Sequence, residues 1–218
     1  MIRLTAEQLL RAYAIGIFPM ARERQDERLY WIDPEERGIL PLDSFHLPRS
    51  MRKMVRRTDL AVRCDTAFEQ VMRLCAEPTE QRPDTWINGE ILRLFVELHR
   101  AGRAHSVEVW RDDQLVGGLY GLAIGAAFFG ESMFSRESNC SKLALVHLVA
   151  ILRKGGFTLL DTQFVTDHLA QFGTVEISRH DYLHRLSDAL ARSATFHGAL
   201  GGDDVLALLS SQSSTQMS

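Results

Sequence analysis

SVEVWRDDQLVGGLYGLAIGAAFFGESMFS, residues 106–135, carries the clearest architectural signal in the chain. Ser106-Val107-Glu108-Val109-Trp110 alternates with a period of two, as a strand does. Asp112-Asp113 supplies turn residues, and Leu115 to Ala123 returns as a second strand. Gly125 turns again and Ala126 to Phe129 starts a third. Toward the C-terminus, Ser141 to Arg153 predicts a helix stopped at Gly155-Gly156. Phe157 to Asp161 is an apolar run of strand length. Asp167 to Phe172 predicts a short helix, Val175-Glu176-Ile177 a last strand, and Asp181 to Ala191 a helix. Toward the N-terminus, Leu60-Ala61-Val62 is a short strand. Phe68, Val71, Met72 and Cys75 recur at helical spacing behind Asp65 and Thr66, and Ile91, Leu94, Phe95 and Leu98 give a second helix ending near Gly102. The order is strand, helix, helix, three meandering strands, helix, strand, helix, strand, which predicts an α/β fold with a mixed sheet.

Ahead of that domain, Thr5-Ala6-Glu7-Gln8 reads as a capping box opening a helix that Gly16 closes. Phe18 to Pro34 reads as a loop containing Tyr30-Trp31, and Glu77 to Pro83 as a second loop. The expected division is a small N-terminal lobe over 1–58, a main domain over 59–195 and a C-terminal extension over 196–218. The Ser/Gln/Thr-rich end of that extension, Ser210 to Ser218, is expected to be disordered.

Hydrophobic residues make up 45% of the 218 positions and charged residues 24%, so the chain can bury a core and stay dispersed in water. No run of about 18 uncharged apolar residues is present, so no membrane span is expected. The start MIRLTAEQLLRAY has charges inside its apolar run and no small-residue cleavage site, unlike a secretory signal. Three cysteines without a CxxC suit free thiols in a reducing cytoplasm. Cys140 and His147 are two helical turns apart, about 10 Å, too far to pair. His180 and His184 lack a third ligand, so no metal is expected. With a formal net charge of -3, nucleic-acid contact would need a local patch. Leu47 to Arg63 supplies one. Arg49, Arg52, Lys53, Arg56 and Arg57 recur at three- and four-residue spacing, and if helical they share a face suited to phosphates rather than bases. A plain solvated face is the alternative.

Five segments together resemble the bacterial leucyl/phenylalanyl-tRNA–protein transferases. They are Gly16-Ile17-Phe18-Pro19; Thr85-Trp86-Ile87; His105-Ser106-Val107-Glu108-Val109-Trp110; Gly117 to Gly121 running on to Phe129-Gly130-Glu131-Ser132-Met133-Phe134-Ser135; and Leu160-Asp161-Thr162-Gln163 with Asp167-His168. The resemblance spans roughly residues 9 to 190. It implies a small N-terminal domain and a main domain like that of the N-acetyltransferase (GNAT) superfamily, whose element order also matches. It implies transfer of Leu or Phe, with Met a further donor residue, from aminoacyl-tRNA to proteins beginning with Arg or Lys. That reaction belongs to the N-degron pathway of protein degradation. A cytoplasmic monomer without a cofactor is expected. The chain departs from the family pattern at Met20, Tyr30 and Leu119.

The reaction is attack of an α-amine, of free pKa about 8, on an ester. Asp161 and Gln163 lie two apart at a strand end, so simple alternation puts both on one face. The resemblance assigns them a relay in which Gln163 meets the amine and Asp161 acts through it. A capping role for Asp161 and a solvated Gln163 are the alternatives. Glu131 is placed to hold the acceptor's cation. Trp86, Leu119, Phe128 and Phe129 are candidates for the pocket of the transferred side chain, with ordinary core the alternative for Leu119 and Phe129, and Ser132 and Met133 are further substrate-binding candidates. Trp31 is a candidate for stacking on the terminal adenine, a contact worth about 1–3 kcal/mol.

A GNAT enzyme using acyl-CoA is the competing class. It would need a Gly-rich loop at the start of the helix after the third meander strand. Arg136-Glu137-Ser138-Asn139-Cys140-Ser141 has no glycine. A noncatalytic tRNA-binding module would need the basic run but not Asp161, Gln163 and Glu131.

Overall fold

A computed structural model describes residues 4–79 and 83–211, so residues 212–218, most of the tail expected to be disordered, and residues 80–82 of the loop after Glu77 lie outside the described residues. In chain order the elements are α1 (Ala6–Ala14), β1 (Phe18–Met20), β2 (Tyr30–Ile32), β3 (Glu36–Ile39), α2 (Arg49–Arg57), β4 (Ala61–Cys64), α3 (Phe68–Cys75), α4 (Gly89–Arg100), β5 (Ala104–Arg111), β6 (Gln114–Ile124), β7 (Ala127–Ser135), α5 (Cys140–Gly155), β8 (Leu159–Gln163), α6 (Asp167–Ala170), β9 (Val175–Ser178), α7 (Arg179–Leu190) and α8 (Gly202–Ser210). The expected order from the first short strand to the last helix is reproduced. α1 has the capping box read from Thr5 and Gln8.

A seven-stranded sheet runs in the order β4-β5-β6-β7-β8-β3-β9. Its pairs are antiparallel except β7 with β8, which is parallel. Where β7 and β8 pair, successive residues enter opposite cores, as the pleat requires. Phe128 and Leu160 join the core beneath α5, α8 and α2, whereas Ala127, Phe129 and Leu159 join the core under α1, α3, α4 and α7. α5 is covered on almost every side. Every residue from Leu143 to Leu152 is buried, which is why that segment is apolar all round.

Four elements depart from the sequence reading. β1 and β2 form a two-stranded hairpin within the stretch read as a loop. β3, drawn from residues assigned to the first lobe, inserts into the main sheet between β8 and β9. Its sequence Glu36-Arg37-Gly38-Ile39 has no alternation to betray it, because its inward side chain is Arg37, only 1% exposed. α8 falls in the C-terminal extension, where Val205, Leu206 and Leu209 bury against the α2–α5 side. α2, drawn like β3 from residues assigned to the first lobe, packs on α5 and α8.

Candidate active site

β7 and β8 pair over three residues, Ala127↔Leu159, Phe128↔Leu160 and Phe129↔Asp161, and then part. β7 continues to Ser135 and β8 to Gln163 without pairing to each other. The parting strands open a cavity of about 430 Å³. Gly130 to Ser135 of β7 and Thr162, Gln163 and Phe164 at the end of β8 form its sides. Ser141, Leu145 and Leu148 of α5 form one wall, and Phe18, Met20 and Trp86 another. The last wall holds together because the Ala21 amide donates to the Trp86 carbonyl. The lining is mainly apolar and aromatic, with a few polar groups.

Glu131 is aimed there by a bulge. Tyr120 pairs with Ser132 and Gly121 with Gly130, which leaves Glu131 as the extra residue of β7. Its Oε1 is enclosed and has no hydrogen-bond partner among the described residues, and the nearby Tyr13 hydroxyl also lacks a well-formed bond. Burial pushes the Glu131 carboxyl up to about 8 from its ordinary 4.5, with the neighbouring Tyr13 hydroxyl opposing the rise, Asp161 adding to it and Arg37 opposing it. A carboxyl with a raised pKa holds its proton more tightly folded than unfolded. Its contribution to stability is complete below pH 4.5 and is lost as pH climbs toward 8. Glu131→Gln is therefore expected to melt at a higher temperature than wild type at pH 8 and to converge with it near pH 4.5. Thermal melts across that window check this, and parallel curves would contradict it.

Two further residues that line the cavity each hold a buried polar atom unpartnered among the described residues, Gln163 Nε2 and His168 Nε2. His168 is kept neutral by burial, with the Lys142 charge adding to the effect, and both lower its pKa. Gln163 has φ +58°, the left-handed region that non-glycine residues seldom enter. This breaks the alternation of β8. Asp161 and Gln163 do not share a face at the cavity, as the sequence reading had them. The Gln163 side chain lines the cavity, whereas Asp161 is 0% exposed and is bonded on the far side.

Asp161 there accepts four hydrogen bonds. Arg37 Nε (3.0 Å) and the Gln163 amide (2.8 Å) donate to Oδ1, and Arg37 Nη2 (2.7 Å) and the Tyr182 hydroxyl (2.7 Å) donate to Oδ2. Burial and the Asp161 charge raise the Tyr182 phenol. Nothing in the sequence marks Arg37, a single arginine in a short polar stretch. Tyr182 could have been noticed as the aromatic on the inward face of α7.

Of the residues read as substrate-binding, Trp86, Leu119, Glu131, Ser132 and Met133 line the cavity, together with Gln163. Phe128 and Phe129 do not. Phe128 precedes the parting of the strands and is buried against Phe157 and Phe196, and Phe129 is buried against Tyr13. Nor does Trp31. It pairs with Pro19, so it shares the hairpin face opposite to Phe18 and Met20 and is 42% exposed. The HSVEVW segment also lies away from the cavity. Buried Glu108 accepts from Ser106, Trp110, the Thr66 amide and hydroxyl, and the Ala67 amide, fixing the turn into α3. Arg49, Arg52, Lys53, Arg56 and Arg57 fall on α2 as one helix, Met51 and Val55 facing inward. All but Arg52, which donates to Ser210 Oγ, are exposed. None of the five lines the cavity. The Cys140 thiol is buried, and burial raises its pKa.

Comparison with known proteins matches two family models in tandem. Residues 3–35 match the leucyl/phenylalanyl-tRNA protein transferase N-terminal domain, and residues 39–187 match leucyl/phenylalanyl-tRNA protein transferase. The chain belongs to this family. A leucyl/phenylalanyl-tRNA–protein transferase of Paramagnetospirillum magneticum is 67% identical over 88% of this chain and 92% of its own length. One from Rhodospirillum rubrum is 56% identical over 98% of this chain and 99% of its own. Both segments that build the cavity, Gly130–Ser135 and Thr162–Phe164, fall within the second family match, and so does β8. Phe18 and Met20 fall within the first. Arg37 lies between the two. Among solved structures, L-PGS from Bacillus licheniformis aligns at a TM-score of 0.40 and 10% identity over 91% of this chain and 66% of that one, a likeness too loose to inform the site.

Proposed function

We propose that the chain transfers Leu or Phe from aminoacyl-tRNA to the N-terminal Arg or Lys of acceptor proteins in the cytoplasm, as part of N-degron-dependent degradation. The observation that carries the reading is the trio Glu131 Oε1, Gln163 Nε2 and His168 Nε2. All three atoms are buried and unpartnered among the described residues, on side chains that line one apolar cavity. Each such group costs about 1–3 kcal/mol until a ligand satisfies it. Trp86, Leu119 and Met133 offer the transferred side chain a pocket that selects by shape, which discriminates weakly between large aliphatic and aromatic residues.

In the reaction the acceptor nitrogen bonds to the carbonyl carbon, the bond from that carbon to the ribose oxygen breaks, and the nitrogen's proton ends on the ribose oxygen or in solvent. Gln163 holds the amine in line with the ester. Glu131 meets the acceptor's cation and gives up its proton on doing so, because an adjacent positive charge favours the carboxylate. Much of the acceleration is positioning. Asp161, with both oxygens engaged, supports Gln163 instead of taking the proton. Exposed Trp31 is assigned to the tRNA end outside the cavity.

Acyl-CoA is disfavoured as donor. At the start of α5 the Ser141 amide is taken by Ser135 Oγ and the Cys140 amide by Glu137 O, which removes donors that a pyrophosphate would use. The test is incubation with labelled Leu-tRNA and an Arg-starting protein. Label at the acceptor's N-terminus without acyl-CoA is expected, and strict dependence on acetyl-CoA would sink the reading.

The exposed cations of α2 are assigned to tRNA phosphates. Changing Arg49, Lys53, Arg56 and Arg57 to Glu is expected to weaken tRNA binding and flatten its salt dependence, by a slope of up to about three if each cation meets a phosphate. Transfer from a minimal aminoacyl-adenosine donor should be nearly unaffected. Equal loss with both donors would remove α2 from the tRNA path.

A further inference from the structure

We infer that Arg37 is a positioning residue for the transfer reaction, acting through Asp161 on Gln163. The inference rests on the reading of Gln163 as the group that holds the amine. An ionised carboxylate offers about four lone-pair sites, and on Asp161 all four are occupied. With no site left over, Asp161 acts on what it binds. Its Oδ1 takes both Arg37 Nε and the Gln163 amide, so the guanidinium and the Gln163 backbone are joined through one oxygen.

That junction holds a strained backbone. A non-glycine residue in the left-handed region costs about 1–2 kcal/mol and persists only where its surroundings enforce it. Three things enforce it at Gln163. One is the bond to Asp161. Another is the Phe164 amide, which donates to the Thr162 carbonyl across Gln163 at 2.6 Å. The third is the close approach of β3, where a Cβ on Gly38 would come within 2.6 Å of the Phe164 carbonyl carbon. The result is a Gln163 side chain turned out of strand alternation and lining the cavity.

Arg37 is itself held on three sides. Its guanidinium lies between the rings of Phe18 (4.6 Å) and Tyr182 (4.4 Å), and Nη1 donates to the Gly16 carbonyl at 2.8 Å. Phe18 is a wall of the cavity. One side chain thus sets the distance between the N-terminal wall and the polar group opposite. Only a planar fork can meet both carboxylate oxygens and the Gly16 carbonyl at once, and lysine lacks it.

The experiment is a double-mutant cycle on transfer from Leu-tRNA to an Arg-starting acceptor, with wild type run first. No transfer by wild type would count against the proposed function, not against Arg37. Arg37→Lys is expected to lower kcat about 10²-fold, as displacement by about 1 Å does elsewhere, with both KM values within a few fold. In a Gln163→Ala background the same substitution should cost less than about threefold more, because its target is gone. Tyr182→Phe removes one of the four bonds and keeps the ring. It should lower kcat about three- to tenfold with the same non-additivity, which supplies the test should Arg37→Lys not fold. Losses that multiply in the Gln163→Ala background overturn the inference. So does an active wild type with unchanged kcat in Arg37→Lys, or in Tyr182→Phe where that variant stands alone.

Discussion

Gln163→Ala is expected to lower kcat by about 10²- to 10³-fold, the scale on which removal of one preorganised polar group acts in acyl transfer. The same substitution should raise the melting temperature. Gln163 Nε2 is buried without a partner among the described residues, so deleting it removes a desolvation penalty of about 1–3 kcal/mol. For a chain of this size each kcal/mol shifts the melting temperature by about 2–4 °C. Alanine inherits the left-handed backbone at no large extra cost, since glutamine already bears it. Opposite signs of change in activity and stability mark a group kept for function. Steady-state kinetics with thermal melts test it. A kcat within threefold of wild type, or a fall in melting temperature, would contradict the assignment.

The largest stability effect is expected at Asp161. Its carboxylate is 0% exposed and its partner Arg37 only 1% exposed. Asp161→Leu leaves a guanidinium buried without its counter-charge, which costs about 3–5 kcal/mol. At about 2–4 °C per kcal/mol the melting temperature should drop by about 6–20 °C. Adding Arg37→Met should recover most of that loss, because two apolar side chains of similar volume replace a buried pair at little net cost. Activity should not return with it, since the Gln163 amide regains no acceptor. Melting curves and transfer rates on the single and double variants separate the two effects. Recovery of both would mean that the pair serves the fold alone.

The meander was legible from its alternation and turn residues, and the buried helix α5 and the strand before Gln163 from apolar runs of helix and of strand length. Glu131, Ser132 and Met133 were legible because their segment has an unusual composition and they sit together on one strand. β3 was not, since four residues around a buried arginine make a strand only when β8 and β9 supply partners. Phe128 and Phe129 are neighbours that enter opposite cores, and the point where β7 leaves β8 is a property of the pairing, which no residue in the string announces. The same holds for Asp161 and Gln163. Counting by twos put them side by side, and one positive φ separated them. Trp31 depended on cross-strand register with Pro19, a tertiary fact. α8 did leave a sign, with Asp203 and Asp204 in its first turn and Val205, Leu206 and Leu209 behind them, at the edge of a stretch whose composition pointed the other way.

The insertion of β3 between β8 and β9 has a bearing on synthesis. The Arg37–Asp161 contact spans 124 positions of sequence, and both neighbours of β3 belong to the C-terminal third of the chain. As the polypeptide leaves the ribosome, Glu36–Ile39 emerges early and has nothing to pair with until residues 159–178 follow. The meander and α5 can assemble first from contacts local in sequence, whereas the pocket closes last and at the greater entropic cost of a long loop. Nascent chains arrested before β9 should therefore carry a folded α5 and β5–β7 unit with a protease-sensitive N-terminal third, and full protection should arrive only once α7 has cleared the exit tunnel.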